Sequence, residues 1–167
     1  MIALALLLLA VGVSILQVGV VPAAFAQPLA APVLPVALLA GWAAIRRPHE
    51  AWPIPLAAAV VLGTVSEARV GMFVLALLPA LILVTLARVR ERRGEATIPR
   101  RLALAAVAGA TGAVCYVLLL SVAGGTTDAL APALLALLAG MAWTGVLATI
   151  LAASLWRMRA DSGGLFA

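Results

Sequence analysis

Arginine placement is the feature that most constrains how this chain folds. Long apolar runs alternate with short segments, and the eleven cationic residues, all of them arginines, fall almost entirely in those segments. Arg46 and Arg47 follow the second apolar run, and Arg157 and Arg159 follow the last. Six more lie between the fourth and fifth runs: Arg88, Arg90, Arg92, Arg93, Arg100 and Arg101. Since charges avoid hydrocarbon and basic residues collect in cytoplasmic loops, this alternation is typical of a polytopic membrane protein.

The composition supports the same class. Apolar residues make up 66% of the 167-residue chain and charged residues only 10%, which is too little polar material for the surface of a soluble domain. Lipid, by contrast, solvates the apolar outer faces of membrane helices. The formal net charge of +5 indicates anionic lipid headgroups as partners rather than nucleic acid, because the arginines lie in membrane loops.

The apolar runs predict helices. No segment alternates polar with apolar residues as a barrel strand would, and lipid-exposed sheet edges do not occur in the hydrocarbon region. We therefore predict a single all-α domain, residues 1–167, that forms one bundle of six transmembrane helices. The predicted spans are residues 2–21, 29–45, 51–65, 70–87, 102–123 and 130–155. The third is short for a full crossing, so whether it spans completely is left open.

The arginines also predict the orientation. With the N-terminus in the cytoplasm, the inner segments hold ten arginines and the outer segments hold only Arg69. This bias predicts that both termini are cytoplasmic. An alternative is cleavage after Ala26, at the end of a signal-peptidase-like motif, which would leave five spans and an outer N-terminus. The absence of a basic N-terminal residue and the length of the first run argue against cleavage.

A few polar residues fall in or near the apolar runs. Gln17, about one turn before the end of the first helix, either bonds headgroups or a neighbouring helix, or takes part in binding a partner. Glu67 and Arg69 share a short outer turn, which is either simply solvated or pairs with a partner or a second loop. Asp128 is predicted to be the N-cap of the sixth helix, where a carboxylate suits the positive helix end. The pair His49–Glu50 is weak evidence for metal binding or proton transfer.

The cytoplasmic arginines have a simpler interpretation. We predict that Arg46, Arg47 and the six-arginine cluster orient the protein and contact lipid headgroups, with docking of a cytoplasmic protein as the alternative. Glu91 and Glu95 are predicted to form helix-surface pairs with arginines of the cluster. Glycines in the fifth and sixth runs permit close helix contact, either within the bundle or with a partner: Gly109, Gly112, Gly140 and Gly145.

Catalytic patterns are absent from the sequence. It has one histidine and one cysteine, Cys115, which is expected to be a free thiol that packs as a small apolar residue. No nucleophile elbow, metal-ligand spacing or phosphate-binding glycine loop is present. We therefore expect neither an enzyme nor a cofactor or metal site.

Several short motifs point to a family. They are Leu16–Gln17 followed by Pro22, Pro32–Pro35, Arg46–Glu50, Gly63–Glu67 and Val70–Met72. With these motifs, over about residues 15–93, the chain resembles the rod shape-determining protein MreD family of the bacterial cell-elongation machinery. Glu67 stands where that family usually has aspartate.

The resemblance implies a non-catalytic scaffold in the bacterial inner membrane. Such a scaffold binds the single-span protein MreC and couples cytoplasmic MreB filaments to peptidoglycan synthesis by a glycosyltransferase–transpeptidase pair. The resemblance also implies a fold similar to the S subunits of energy-coupling-factor vitamin transporters. The alternative function is therefore a solute-binding S subunit with a vitamin site near the outer face. The outer loops offer few polar groups for such a site, which favours the scaffold.

Overall fold

All regular structure in the described chain is helical. The computed structural model describes residues 2–25, 27–66, 69–91, 97–125 and 133–161, and within these ranges there is no strand, which confirms the all-α class. The α-helices are α1 (Ile2–Gly19), α2 (Val21–Ala24), α3 (Leu34–Ile45), α4 (Pro53–Val65), α5 (Val70–Glu91), α6 (Ile98–Ala123) and α7 (Leu134–Asp161). Short 3-10 helices cover Pro28–Ala30 and Pro48–Ala51.

Three helices are long and apolar enough to cross a membrane. The candidate spans are Val70–Val89 in α5, Ile98–Ala123 in α6 and Leu134–Met158 in α7. Ala3–Gly19 and Leu34–Ile45 are shorter apolar helices. By length and composition, α5, α6 and α7 thus indicate a helical membrane protein.

The second predicted span differs most from the observed helix at its start. The sixth differs most at its end, because α7 continues to Asp161, beyond the predicted end at residue 155. Residues 29–45 were predicted to be one helix, but α3 begins only at Leu34, after an extended Val33 with φ −92° and ψ 90°. Pro32 disfavours helical backbone at the residue before it, while Pro35 sits in the first turn, where its missing amide is tolerated. At 12 residues, α3 is about 18 Å long, much shorter than a hydrocarbon core of about 30 Å.

Helix α3 begins near the middle of the bundle. A Cβ atom added to Gly112, midway along α6, would lie 2.7 Å from the Ala80 Cβ and 2.8 Å from the Val36 Cγ1. Ala80 is midway along α5, whereas Val36 is in the first turn of α3. The start of α3 therefore lies level with the centres of the two long helices.

Helix α3 is also the buried centre of the structure. It contacts α1, α4, α5, α6 and α7. Ten of its 12 residues are buried, and many are small. Because lipid is as apolar as the side chains, close packing rather than hydrophobic burial holds such helices together.

Small residues bring the backbones of α3, α6 and α7 together. A Cβ on Gly41 of α3 would lie 2.8 Å from the Ala148 carbonyl oxygen, and one on Gly109 of α6 would lie 2.9 Å from the Ala148 Cβ. A Cβ on Gly145 would lie 3.0 Å from the Ala106 carbonyl oxygen, and one on Gly140 would collide with the carbonyl oxygens of Leu29 and Ala31. The predicted close contacts at these glycines are therefore made inside the bundle.

Helix α1 is peripheral. Its buried residues Leu6, Ala10 and Ser14 recur every four positions and form one narrow face. The remaining surface is apolar and exposed, for example at Leu4, Leu8 and Ile15. The helix ends at Gly19, and Pro22 lies in the first turn of the short α2 that follows.

Candidate functional site

Two polar side chains from different helices bond the N-terminal end of α3. The Leu34 amide donates to Gln17 Oε1 of α1 at 2.7 Å, and the Val33 amide donates to Thr144 Oγ1 of α7 at 3.0 Å. The Thr144 hydroxyl in turn donates to the Gly140 carbonyl at 2.7 Å. First-turn amides have no partner within their own helix, so these bonds satisfy groups that would otherwise be bare at mid-bundle depth.

One interpretation of Gln17 was that it bonds a neighbouring helix. Its amide oxygen does so, because it accepts from the Leu34 amide at the start of α3. Its role in binding a partner remains a prediction. Thr144 was not predicted, because one threonine in a long apolar run is uninformative until its distant partner is known.

Arg88 of α5 bonds the opposite end of α3. Its Nη2 donates to the carbonyls of Ala44 at 2.7 Å, Arg46 at 2.8 Å and Ala43 at 3.4 Å. A helix leaves its last four carbonyls without intrahelical partners, and a cation is favoured beside that negative end. Arg88 therefore fastens α3 to α5, a role that its place in the arginine cluster did not predict.

Tryptophan–arginine pairs lie at this same end, which we call the Arg88 end. The Arg46 guanidinium lies 6.0 Å from the Trp42 ring centroid, and the Arg101 guanidinium lies 5.8 Å from the Trp156 centroid. Such pairs contribute about 0.5–1 kcal/mol at exposed sites. Within the described chain, the buried atoms Trp42 Nε1 and Glu50 Oε2 have no hydrogen-bond partner.

The other residues predicted to be cytoplasmic are exposed or undescribed. Arg47 and Arg100 are exposed, as contact with headgroups requires, and His49 is exposed as well. The side chains of Arg90 and Glu91 lie outside the described residues, and so do Arg92, Arg93 and Glu95 in full. Their lipid-contact and pairing roles remain predictions.

A cavity lies at the opposite end of the bundle, which we call the Arg69 end. It has a volume of about 660 Å³ and lies between the start of α5 and the last turn of α6. Its lining residues are Ser66, Arg69, Met72, Phe73, Leu120, Ala123 and Gly124. Arg69, predicted as a site residue, is exposed at its rim, whereas Glu67 and Asp128 lie outside the described residues.

An apolar groove runs along the outer surface between α6 and α7. It has a volume of about 450 Å³. Its walls include the small residues Ala106, Ala110, Ala142 and Gly145, flanked by the exposed Val146. Small walls of this kind allow the backbone of another helix to approach closely.

Neither a search for metal-binding clusters nor a comparison with known proteins assigns a function to these residues. Among the described residues, no group of three or more histidine, cysteine, aspartate or glutamate side chains could hold a metal ion. Cys115 is a half-buried free thiol in α6. No family model, curated protein or solved structure matches this chain.

Proposed function

We propose that this protein is a non-catalytic scaffold of the bacterial cell-elongation complex. In this role it binds an MreC-like single-span protein and links cytoskeletal MreB filaments to a glycosyltransferase–transpeptidase pair that makes peptidoglycan. The sequence resemblance to the MreD family is the source of this proposal. We also propose that the chain has six spans, in a fold similar to that of energy-coupling-factor S subunits.

One structural observation supports a scaffold best. Three polar side chains inside the bundle, Gln17, Thr144 and Arg88, bond the backbone at the two ends of α3. The buried Ser14 bonds the Ala10 carbonyl of its own helix. These bonds fix the central helix rather than form a cluster around a shared site. A bundle fixed in this way suits a platform for other membrane proteins.

The topology is part of the proposal. Six passes with both termini in the cytoplasm put the Arg88 end inside and the Arg69 end outside. The test introduces single cysteines at Gly125 and Gly94 after Cys115→Ala, and treats intact cells with an impermeant thiol reagent. We expect labelling at Gly125 only, and labelling at Gly94 but not Gly125 would overturn the topology.

The α6–α7 groove is where we place the partner helix. A single-span partner presents an apolar helix. The groove is lined by small residues and lies within the apolar spans of two long helices, so a partner helix could pack closely there. A photo-crosslinking residue at Val146 should capture the partner in the native host. The matched control is Leu75 on α5, which is similarly exposed, at 54% against 49%. Capture from Leu75 and not from Val146 would contradict this placement.

Purification tests the function itself. The protein is isolated in mild detergent from its own host, and the proteins and small molecules that accompany it are identified by mass spectrometry. An MreC-like partner is the expected result. A bound small molecule together with a pair of ATPases would overturn the scaffold proposal.

The second candidate function is a solute-binding S subunit of an energy-coupling-factor vitamin transporter. The cavity at the Arg69 end favours it, because it combines a hydroxyl and a cation with apolar walls. The same purification separates the two candidates, since the S subunit predicts the ATPase pair and no MreC-like protein.

A further inference from the structure

We propose that the cavity at the Arg69 end binds an anionic membrane lipid, with its headgroup at Arg69 and Ser66 and an acyl chain over Phe73 and Leu120. This inference does not rest on the scaffold function. It rests on the position of Arg69 relative to the span of α5, on the order of the lining residues and on the shape of the cavity.

The position of Arg69 places it at headgroup level. The apolar span of α5 begins at Val70 and ends at Val89, a length of about 30 Å that matches the hydrocarbon core. Arg69 directly precedes the first residue of that span, and its carbonyl accepts a hydrogen bond from the Met72 amide at 2.9 Å. Arg69 therefore lies at the edge of the span, at the depth of the lipid phosphate groups.

The lining residues change character with depth. Ser66 and Arg69 are exposed at the rim, and Arg69 is the one charged side chain among the lining residues that the structure describes. One turn further into the span, Phe73 is buried against Ala59 and Leu62. A polar, cationic rim above an apolar floor matches an amphiphile with an anionic headgroup.

The floor and the opposite wall have a defined shape. The Phe73 ring lies 6.3 Å from the Tyr116 ring at an interplanar angle of 41°, which restrains it. On α6, the last turn contributes Ala123 and Gly124, and these short residues leave the space open. The N-terminal end of the 22-residue α5 adds its positive dipole to the Arg69 charge.

Native mass spectrometry of the delipidated protein in mild detergent tests the proposal. The probes are phosphatidylglycerol and phosphatidylcholine with identical acyl chains, and glycerol 3-phosphate as a soluble anion without chains. We expect phosphatidylglycerol to bind best, and Arg69→Gln to weaken its binding about tenfold, because a charge-assisted hydrogen bond is lost. Ala123→Trp, which fills the cavity, should weaken it to a similar degree.

Arg157→Gln is the matched control, since it removes an exposed arginine from the opposite end of the bundle. It should leave the tightest phosphatidylglycerol site unchanged. Equal losses in Arg157→Gln and Arg69→Gln, or no loss in Ala123→Trp, would overturn the proposal. Binding of glycerol 3-phosphate as tight as that of phosphatidylglycerol would also overturn it, because the site would then be one for a soluble anion. Unaltered thermal unfolding of each variant shows that folding is intact.

Discussion

Helices α1 and α3 have similar apolar sequences but opposite environments. In α1 only one narrow face, containing Leu6, Ala10 and Ser14, is buried. In α3 ten of 12 residues are buried, and side chains from α1, α5 and α7 bond its ends. Hydrophobicity therefore does not decide which membrane helix faces lipid and which faces protein. The decisive features are residue size and the polar groups that meet the helix ends.

Arg88→Leu, which acts on one end of α3, should lower the stability of the protein most. It removes the donor to three carbonyls at the end of α3 and leaves them in a buried, weakly polar environment. We expect the free energy of unfolding to fall by about 3 kcal/mol, measured by equilibrium unfolding in mixed detergent micelles. Arg47→Leu, at an exposed position, should change it by less than about 0.5 kcal/mol. Equal effects of the two variants would show that Arg88 has no special role in holding α3.

Replacement of glycine by alanine should have opposite effects in the two helices. A Cβ at Gly41 of α3 would meet the Ala148 backbone at 2.8 Å, so Gly41→Ala should destabilise the protein by about 2 kcal/mol. A Cβ at Gly12 of α1 would meet nothing within 4 Å. Gly12→Ala should therefore be neutral or stabilise by up to about 1 kcal/mol through helix propensity. The same micelle unfolding assay measures both, and a matching sign for the two variants would refute the close packing of α3 against α7.

Thr144→Val should have the smallest effect. The change keeps the side-chain shape but removes the hydroxyl that accepts from the Val33 amide. Hydrogen bonds between membrane helices contribute modestly, so we expect a loss of about 1 kcal/mol in the free energy of unfolding. Thr149→Val is the control, because that hydroxyl bonds only the Gly145 carbonyl of its own helix. Faster hydrogen exchange of the Val33 amide in Thr144→Val alone would confirm the assignment, and an unchanged rate would contradict it.

The sequence predicts the features of this fold that depend on local patterns, and it misses those that depend on contacts between distant residues. Apolar runs and loop arginines are local signals, and they predict the positions of α5, α6 and α7, although individual helix ends differ from the prediction, most of all where α7 continues from residue 155 to Asp161. The late start of α3 depends on Pro32 and Pro35, whose effect on the helix boundary was ambiguous from the sequence. The side chains that bond α3 are not local. Thr144 is 111 residues from Val33, and Arg88 is 42 residues from Arg46, so neither pairing has a sequence signature.

The candidate site was predicted only in part. Gln17 and Arg69 were selected because polar groups near apolar helices are unusual, and both occupy defined positions in the structure. The cavity beside Arg69 could not be predicted, because it arises where the ends of α5 and α6 meet across more than fifty residues of sequence. Its floor consists of ordinary apolar residues, which have no distinguishing pattern.

The side chains that hold α3 have a consequence for how the protein is made. During synthesis, Gln17 emerges before α3, Arg88 emerges well after it, and Thr144 emerges later still. Helix α3 is too short to cross the bilayer alone, and until α5 and α7 arrive its end groups lack two of their three side-chain partners. The central helix of the bundle therefore acquires its full set of side-chain partners only after the Thr144 segment of α7 has been synthesised.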